Sequence, residues 1–213
     1  MKKDFFKDPK IRFPAYEPWI SNEDKKIVNK TLSQNMLTLG PQLEKFESDF
    51  SKYSNAKYAI AVSNCTAALH LSLMALGIKK NDEVIIPDLT FVADANAILA
   101  CNAKPVIVDI NQDDFFLSIS NIKKNITKKT KAIIPVHIYG QVCNIEEIMD
   151  VAKDHNLKVI EDCAHAVGTF HKSKHVGTLG STGCFSFYPT KNITTAEGGM
   201  VITNSKQIAE KVR

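Results

Sequence analysis

The chain has 213 residues, 44% hydrophobic and 23% charged, with a net charge of +4 at pH 7. This fits one globular domain with a sizeable core and excludes a disordered or fibrous composition. The lysines are spread along the chain and form no basic stripe interleaved with aromatics, which argues against a nucleic-acid surface.

The opening "MKKDFFKDPKIRF" has basic residues but no apolar segment behind them, so it does not read as a secretory leader. No apolar run approaches the length of a membrane span. A cytoplasmic protein is expected. Residues 1–35 read as an arm and a helix. "PAYEPWI" is extended, and "SNEDKKIVNKTL" offers Ser21 or Asn22 as N-cap with acids in the first turn. Residues 36–213 read as the main domain. Its first helix starts at Pro41, with Leu43, Phe46, Phe50 and Tyr53 on one apolar face.

From Lys57 the pattern alternates. Strands are expected at "YAIAVS", "DEVIIP", "KPVIVDI", "KAIIPVHI", "KVIED" and the aromatic run before Lys191. Helices are expected at "TAALHLSLMALG", closed by Gly77, then at "FVADANAILACN", "NIEEIMDVAKDHN" and "NSKQIAEKVR". Short β-branched strands separated by helices predict parallel βαβ units and a sheet covered on both faces. The last helix lacks a stop signal, so the chain reads as cut before a natural finish. Five cysteines (65, 101, 143, 163, 184) form no CxxC pair and are odd in number, which predicts reduced, buried thiols and no zinc site.

Ligands of such sheets sit beyond the carboxyl ends of the strands. "SNCTAAL" follows the first strand. Its free N–H groups and helix dipole could seat a phosphate, with Ser63, Asn64 and Thr66 as helpers, or it could be an ordinary helix cap. Phe91 sits at the tip of the second strand, as core or as a stacking surface. Asp162 and His165 follow "KVI". An acid there needs a partner, whether a structural ion pair, a cap or a ligand. Ser186 and Lys191 follow the aromatic strand in "GCFSFYPTKNITTAEGGM". His137, Tyr139 and Gln141 in "VHIYGQ" also follow a strand, either as structural residues, the reading preferred here, or facing the pocket. A phosphate seat, a stacking ring, a carboxylate and an amine together fit one ligand, pyridoxal 5′-phosphate (PLP). In that reading the lysine takes its aldehyde and the aspartate its ring nitrogen.

The blocks "SNCTAALHLSLMALGI", "DEVIIPDLTFVADANAI", "AKPVIVDI", "KAIIPVHIYGQ", "VIEDCAHAVGT" and "GCFSFYPTKNITTAEGGMVIT" occur in order from about Gly40 to the last residue. They resemble the DegT/DnrJ/EryC1/StrS family of PLP-dependent nucleotide-sugar aminotransferases, in particular its perosamine-synthetase-like branch. The resemblance implies the large domain of a fold-type I PLP enzyme, an α/β architecture with a mostly parallel seven-stranded sheet between helices. It implies Lys191 as the cofactor-anchoring lysine, Asp162 on the pyridine nitrogen, His165 near the phenolic oxygen and Phe91 stacked on the ring. Cys65, Thr66 and Ser186 would hold the phosphate. It implies L-glutamate as amino donor, a nucleotide-linked keto-deoxy sugar as acceptor, a role in surface polysaccharide or related glycan synthesis, and a homodimer with shared active sites.

A dehydratase branch carries histidine in place of this lysine, so "TKNITT" implies transamination. Ala196 stands where the family often has glycine. The resemblance implies a small C-terminal domain following this large-domain portion, so the 213 residues are expected to be a truncated form. Two other readings are a catalytically incomplete PLP-binding remnant and a non-covalent nucleotide-binding module. The lack of GxGxxG after the first strand counts against the latter.

Overall fold

The computed structural model describes residues 17–213; the leader reading and the arm as far as Tyr16 lie outside the described residues. A capping box starts α1 (Asn22–Leu32). The Ser21 hydroxyl accepts from the Asp24 N–H at 3.1 Å, and the Asp24 carboxylate accepts from the Ser21 N–H at 2.8 Å. This helix buries no residue. In α2 (Pro41–Ser54) the proline occupies the first turn, where a missing N–H costs nothing. Its apolar face is narrower than expected: Phe50 is buried and Phe46 half-buried, but Tyr53 is 56% exposed.

The remaining elements are β1 (Tyr58–Val62), α3 (Cys65–Ala75), β2 (Glu83–Pro87), α4 (Ala93–Ala100), β3 (Lys104–Val108), α5 (Ile119–Asn125), β4 (Thr130–Ile133), α6 (Ile145–Asp154), β5 (Lys158–Asp162), the small hairpin β6 (Phe170–His171) and β7 (Lys174–His175), β8 (Thr182–Ser186), β9 (Gly199–Thr203) and α7 (Lys206–Val212). Seven strands form one sheet in the order β1-β9-β8-β5-β4-β2-β3. All pairings are parallel except those of β9, which runs antiparallel to both β1 and β8.

Side-chain alternation with both faces apolar produces two cores. Val84, Ile86, Ala132, Ile134 and Ile160 pack with α3, α4 and α7. Their neighbours Ile85, Ile133 and Val159 face the opposite way, onto α5 and α6. Behind β8 and β9, Phe185, Met200 and Ile202 meet α2, with Phe50 edge-on to Phe185 at 5.1 Å. Edge strand β3 departs from the two-sided expectation, since Ile107 is 59% exposed.

Four local expectations are corrected. β4 stops at Ile133 rather than continuing through "PVHI", because Pro135 has no N–H to give the ladder; only an isolated bridge, Val136 to Asp162, continues it. α4 begins at Ala93, so Phe91 and Val92 belong to the turn before it. α5 and β9 are further elements that the strand and helix patterns did not single out. Of the five free cysteines, four are buried and Cys101 is half-buried. Among the described residues, no helix is long and apolar enough to cross a membrane.

Candidate active site

The carboxyl ends of β1, β2, β4, β5 and β8 point to one side of the sheet. Because β9 returns antiparallel beside β8, the connecting segment 187–198 stays at that same end. A cavity of about 470 Å³ opens there, within the roughly 300–1,000 Å³ usual for small-molecule sites. Lys191, Asp162, His165, Cys65, Thr66, Phe91 and Ser186 all line it. A hollow of about 500 Å³ between α2, β1 and α7 is of similar size. Its walls carry surface ion pairs such as Lys206–Glu210 and Arg213–Glu47, and no buried titratable group faces it.

Asp162 ends β5 on the cavity floor and is 5% exposed. Its Oδ1 accepts from the Ala164 N–H at 2.8 Å and from the Cys65 thiol at 4.0 Å. Burial pushes its pKa up, opposed by the Ala164 N–H and by the charge of Lys191. A desolvated carboxylate facing an open cavity is suited to a cationic ligand group, which would restore the charge balance that burial removes. Lys191 is held by its N–H, which donates to the Tyr188 carbonyl at 2.9 Å. Burial lowers the pKa of its ammonium, while Asp162 and Cys65 act in the opposite sense.

His165 accepts the Tyr139 N–H on Nδ1 at 3.3 Å, which places its ring proton on Nε2. Burial, then Lys191, lower its pKa, so it is held neutral. The Tyr139 ring stacks on it at 5.3 Å with an 8° tilt, from a left-handed backbone (φ 51°). Phe91 is 73% exposed and flanks the cavity mouth.

Asn64 caps α3, its Oδ1 accepting from the Ala67 N–H at 2.8 Å. That leaves the Cys65 and Thr66 N–H groups without a helical partner at the positive end of an 11-residue helix, and both residues line the cavity. Asn64 therefore caps the helix while also lining the cavity, whereas Ser63 is not on the cavity wall. Ser186 is buried, and its Oγ accepts from the Tyr188 N–H at 3.4 Å. Gly199 lies against the same turn: a Cβ there would meet the Asn64 carbonyl carbon at 2.5 Å, so glycine alone lets β9 approach the N-terminus of α3.

Sequence reasoning missed a buried hub beside the site. Glu161 is wholly buried. Its Oε1 accepts from the N–H groups of Leu179 (2.9 Å) and Gly180 (2.6 Å). Its Oε2 accepts from the Gly177 N–H (2.8 Å) and from His137 Nε2 (3.0 Å). His137 Nδ1 in turn accepts the Cys143 N–H at 3.3 Å. Although Glu161, His137 and the Cys163 thiol lie close enough to surround an ion, four donors already use the lone pairs of the carboxylate. The available signal was the first acid of "VIED", adjacent to Asp162 in a strand expected to be fully buried. Glu197, Thr190 and Tyr188 also line the cavity without having been foreseen.

The sequence profile of the DegT/DnrJ/EryC1/StrS aminotransferase family matches residues 18–213. The chain belongs to the DegT/DnrJ/EryC1/StrS aminotransferase family. GDP-perosamine synthase of Escherichia coli O157:H7 is 46% identical over 199 residues, 93% of this chain and 55% of that protein. Spore coat polysaccharide biosynthesis protein SpsC of Bacillus subtilis is 43% identical, over 94% of this chain and 51% of its own length. Among solved structures, the PLP-form of a putative sugar aminotransferase, Spr1654 from Streptococcus pneumoniae, superimposes with a TM-score of 0.90 at 30% identity, covering 94% of this chain and 56% of that one. The aminotransferase from Psychrobacter cryohalolentis gives 0.89 at 38%, covering 92% and 51%. The chain therefore has the fold of the DegT-family large domain and spans about half the length of the curated relatives it matches.

Within this family fold, Ala196 adopts a left-handed backbone (φ 66°) in the loop that carries Lys191. A side chain there costs roughly 1–2 kcal/mol, partly offset in glycine by about 0.4–1 kcal/mol of extra unfolded-state entropy. Ala196→Gly is expected to raise the melting temperature by about 1–4 °C in a calorimetric scan. An unchanged or lower value would mean the loop does not hold this strain.

Proposed function

We propose that the chain is the PLP-binding half of an aminotransferase that moves an amino group from L-glutamate to a keto-deoxy sugar of a nucleotide-sugar, in the making of surface polysaccharide or a related glycan. The observation that carries this reading is the meeting of Lys191 and Asp162, from different elements, in one cavity closed at one end by the free N–H groups of α3. The relatives named GDP-perosamine synthase and SpsC support the substrate class.

The residues present fit PLP: a buried acid for a ring cation, an amine with a lowered pKa for an aldehyde, and a helix N-terminus with two hydroxyls for a phosphate. When bound, PLP supplies an electrophilic aldehyde and an electron-withdrawing ring. Thr66, Ser186 and the N–H groups at the start of α3 would hold its phosphate. Phe91, at the cavity mouth, would shield the ring from water. Asp162 would pair with the ring nitrogen and keep it protonated. His165, neutral with its proton on Nε2, would donate toward the phenolic oxygen. Lys191 would be the covalent anchor. Its neutral Nζ, once free, would take the Cα proton of the donor and later return a proton to the sugar carbon that accepts nitrogen. Lowering of its pKa by burial raises the fraction of free amine available for this task.

Two copies are proposed to form a homodimer with shared sites in the cytoplasm. The exposed Phe91, Tyr188 and Ile193 around the cavity and its loop support a covering surface there. Light scattering of the purified protein tests the dimer.

The central test is to add PLP, reduce with borohydride and map the labelled peptide. Label on Lys191 is expected; label elsewhere or none rejects the assignment. Asp162→Asn keeps the shape and removes the charge. It is expected to weaken PLP binding by about 10- to 100-fold, the worth of one hydrogen bond between charged groups. Wild-type affinity in an absorbance titration would take Asp162 out of the ring-nitrogen role.

A further inference from the structure

Asp94 stands in the first turn of α4, just behind the wall that Thr90, Phe91 and Ala93 present to the cavity. Its side chain is wholly buried. Oδ2 lies 2.6 Å from the Thr90 hydroxyl oxygen, and Oδ1 has no hydrogen-bond partner among the described residues. No cation pairs with it among the described residues. The titratable groups around it are Asp162 on β5, Cys65 on α3 and Cys184 on β8. The charge of Lys191 bears on Asp162 instead.

An ionised carboxylate in this position would leave an anionic oxygen unpaired in an apolar interior, with a second carboxylate nearby. Burial, and then Asp162, hold the Asp94 carboxyl well above the usual range. A neutral acid leaves only an unpaired carbonyl oxygen, a far smaller penalty. Its proton then belongs on Oδ2, within ordinary O–H···O distance of Thr90. The hydroxyl hydrogen of Thr90 is thereby released from Asp94. Thr90 is half-buried and lines the cavity, so that hydrogen turns to a ligand there.

We propose that Asp94 is a neutral acid that donates a hydrogen bond to the Thr90 hydroxyl oxygen and so makes the Thr90 hydroxyl a hydrogen-bond donor facing an anionic oxygen of the cavity's ligand. Asp94 is a positioning residue in this arrangement. The nature of the ligand rests on the PLP reading above, whereas the state of Asp94 does not.

The proton is tested on the purified protein without cofactor. The infrared difference between wild type and Asp94→Asn near pH 7 is expected to contain a protonated-carboxyl C=O band that shifts in D2O. A carboxylate band in its place overturns the proposal. Asp94→Leu, apolar in an apolar setting, serves the same subtraction if the amide variant does not fold. The direction of Thr90 is tested by PLP titration. Asparagine can still donate to Thr90, so Asp94→Asn is expected to bind PLP within about threefold of wild type, while Thr90→Val weakens binding about tenfold. Wild-type affinity in Thr90→Val overturns the proposal. Absence of PLP binding in the wild type itself would reject the proposed function, and the infrared band would still decide the state of Asp94.

Discussion

Lys191→Ala is expected to bind PLP without covalent capture and to lose transamination. The visible absorbance of the lysine-bound cofactor should vanish, and borohydride should fix no label on the protein. The loss should be large because two tasks share one Nζ. In the proposed reaction Lys191 would be the covalent anchor, and as general base it would move the Cα proton of the donor, a role worth about 10²- to 10⁴-fold alone. Lys191→Arg should not rescue, because a guanidinium neither condenses with the aldehyde nor deprotonates near neutral pH. The phosphate seat and Asp162 remain, so PLP should still bind reversibly. Single-turnover assays with glutamate separate this outcome from unfolding: a folded variant that binds PLP yet transfers no nitrogen fits the assignment. Substantial transfer by Lys191→Ala would place the base elsewhere.

Glu161→Ala is expected to be the most destabilising single substitution discussed. It strips the acceptor from three backbone N–H groups, Gly177, Leu179 and Gly180, and from His137 Nε2, all in a dry interior. Each unsatisfied buried donor costs about 1–3 kcal/mol, and water entering the space returns part of it. A net loss of about 3–6 kcal/mol is a large share of the roughly 5–15 kcal/mol that holds a domain folded. Urea unfolding should place the midpoint far below that of the wild type. Glu161→Gln should fall between the two, since its carbonyl oxygen still accepts while its amide confronts donors. A near-neutral Glu161→Ala would mean that the segment 177–180 is not held through this carboxylate.

Much of the architecture was legible beforehand. Apolar β-branched runs separated by helices specify buried parallel strands, because only a sheet covered on both faces tolerates such continuity. Pro41 and the "SNED" segment marked helix starts through local backbone chemistry that does not depend on the rest of the fold. The seven candidate residues share one cavity because ligand sites of such sheets lie beyond the strand carboxyl ends, and each of the seven ends a strand or follows one within a few residues.

The remainder depended on contacts between distant segments. Whether β4 ran on to His137 was decided by the pairing available around Pro135. The antiparallel return of β9, which keeps Lys191 on the same cavity as Asp162, follows from the pairing of β8 with β9 and of β9 with β1. Tyr139 read as structural, yet it stacks on His165 because a left-handed turn aims it there. The hub at Glu161 and the orphaned oxygen of Asp94 exist only once burial is known, since an acid in a string of letters has no dielectric. Composition and periodicity thus decided the fold class and the residue types available for chemistry, because these rest on short-range backbone preference and apolar patterning. Strand direction, partner choice and protonation were left to the tertiary structure, because they depend on which groups lose water together.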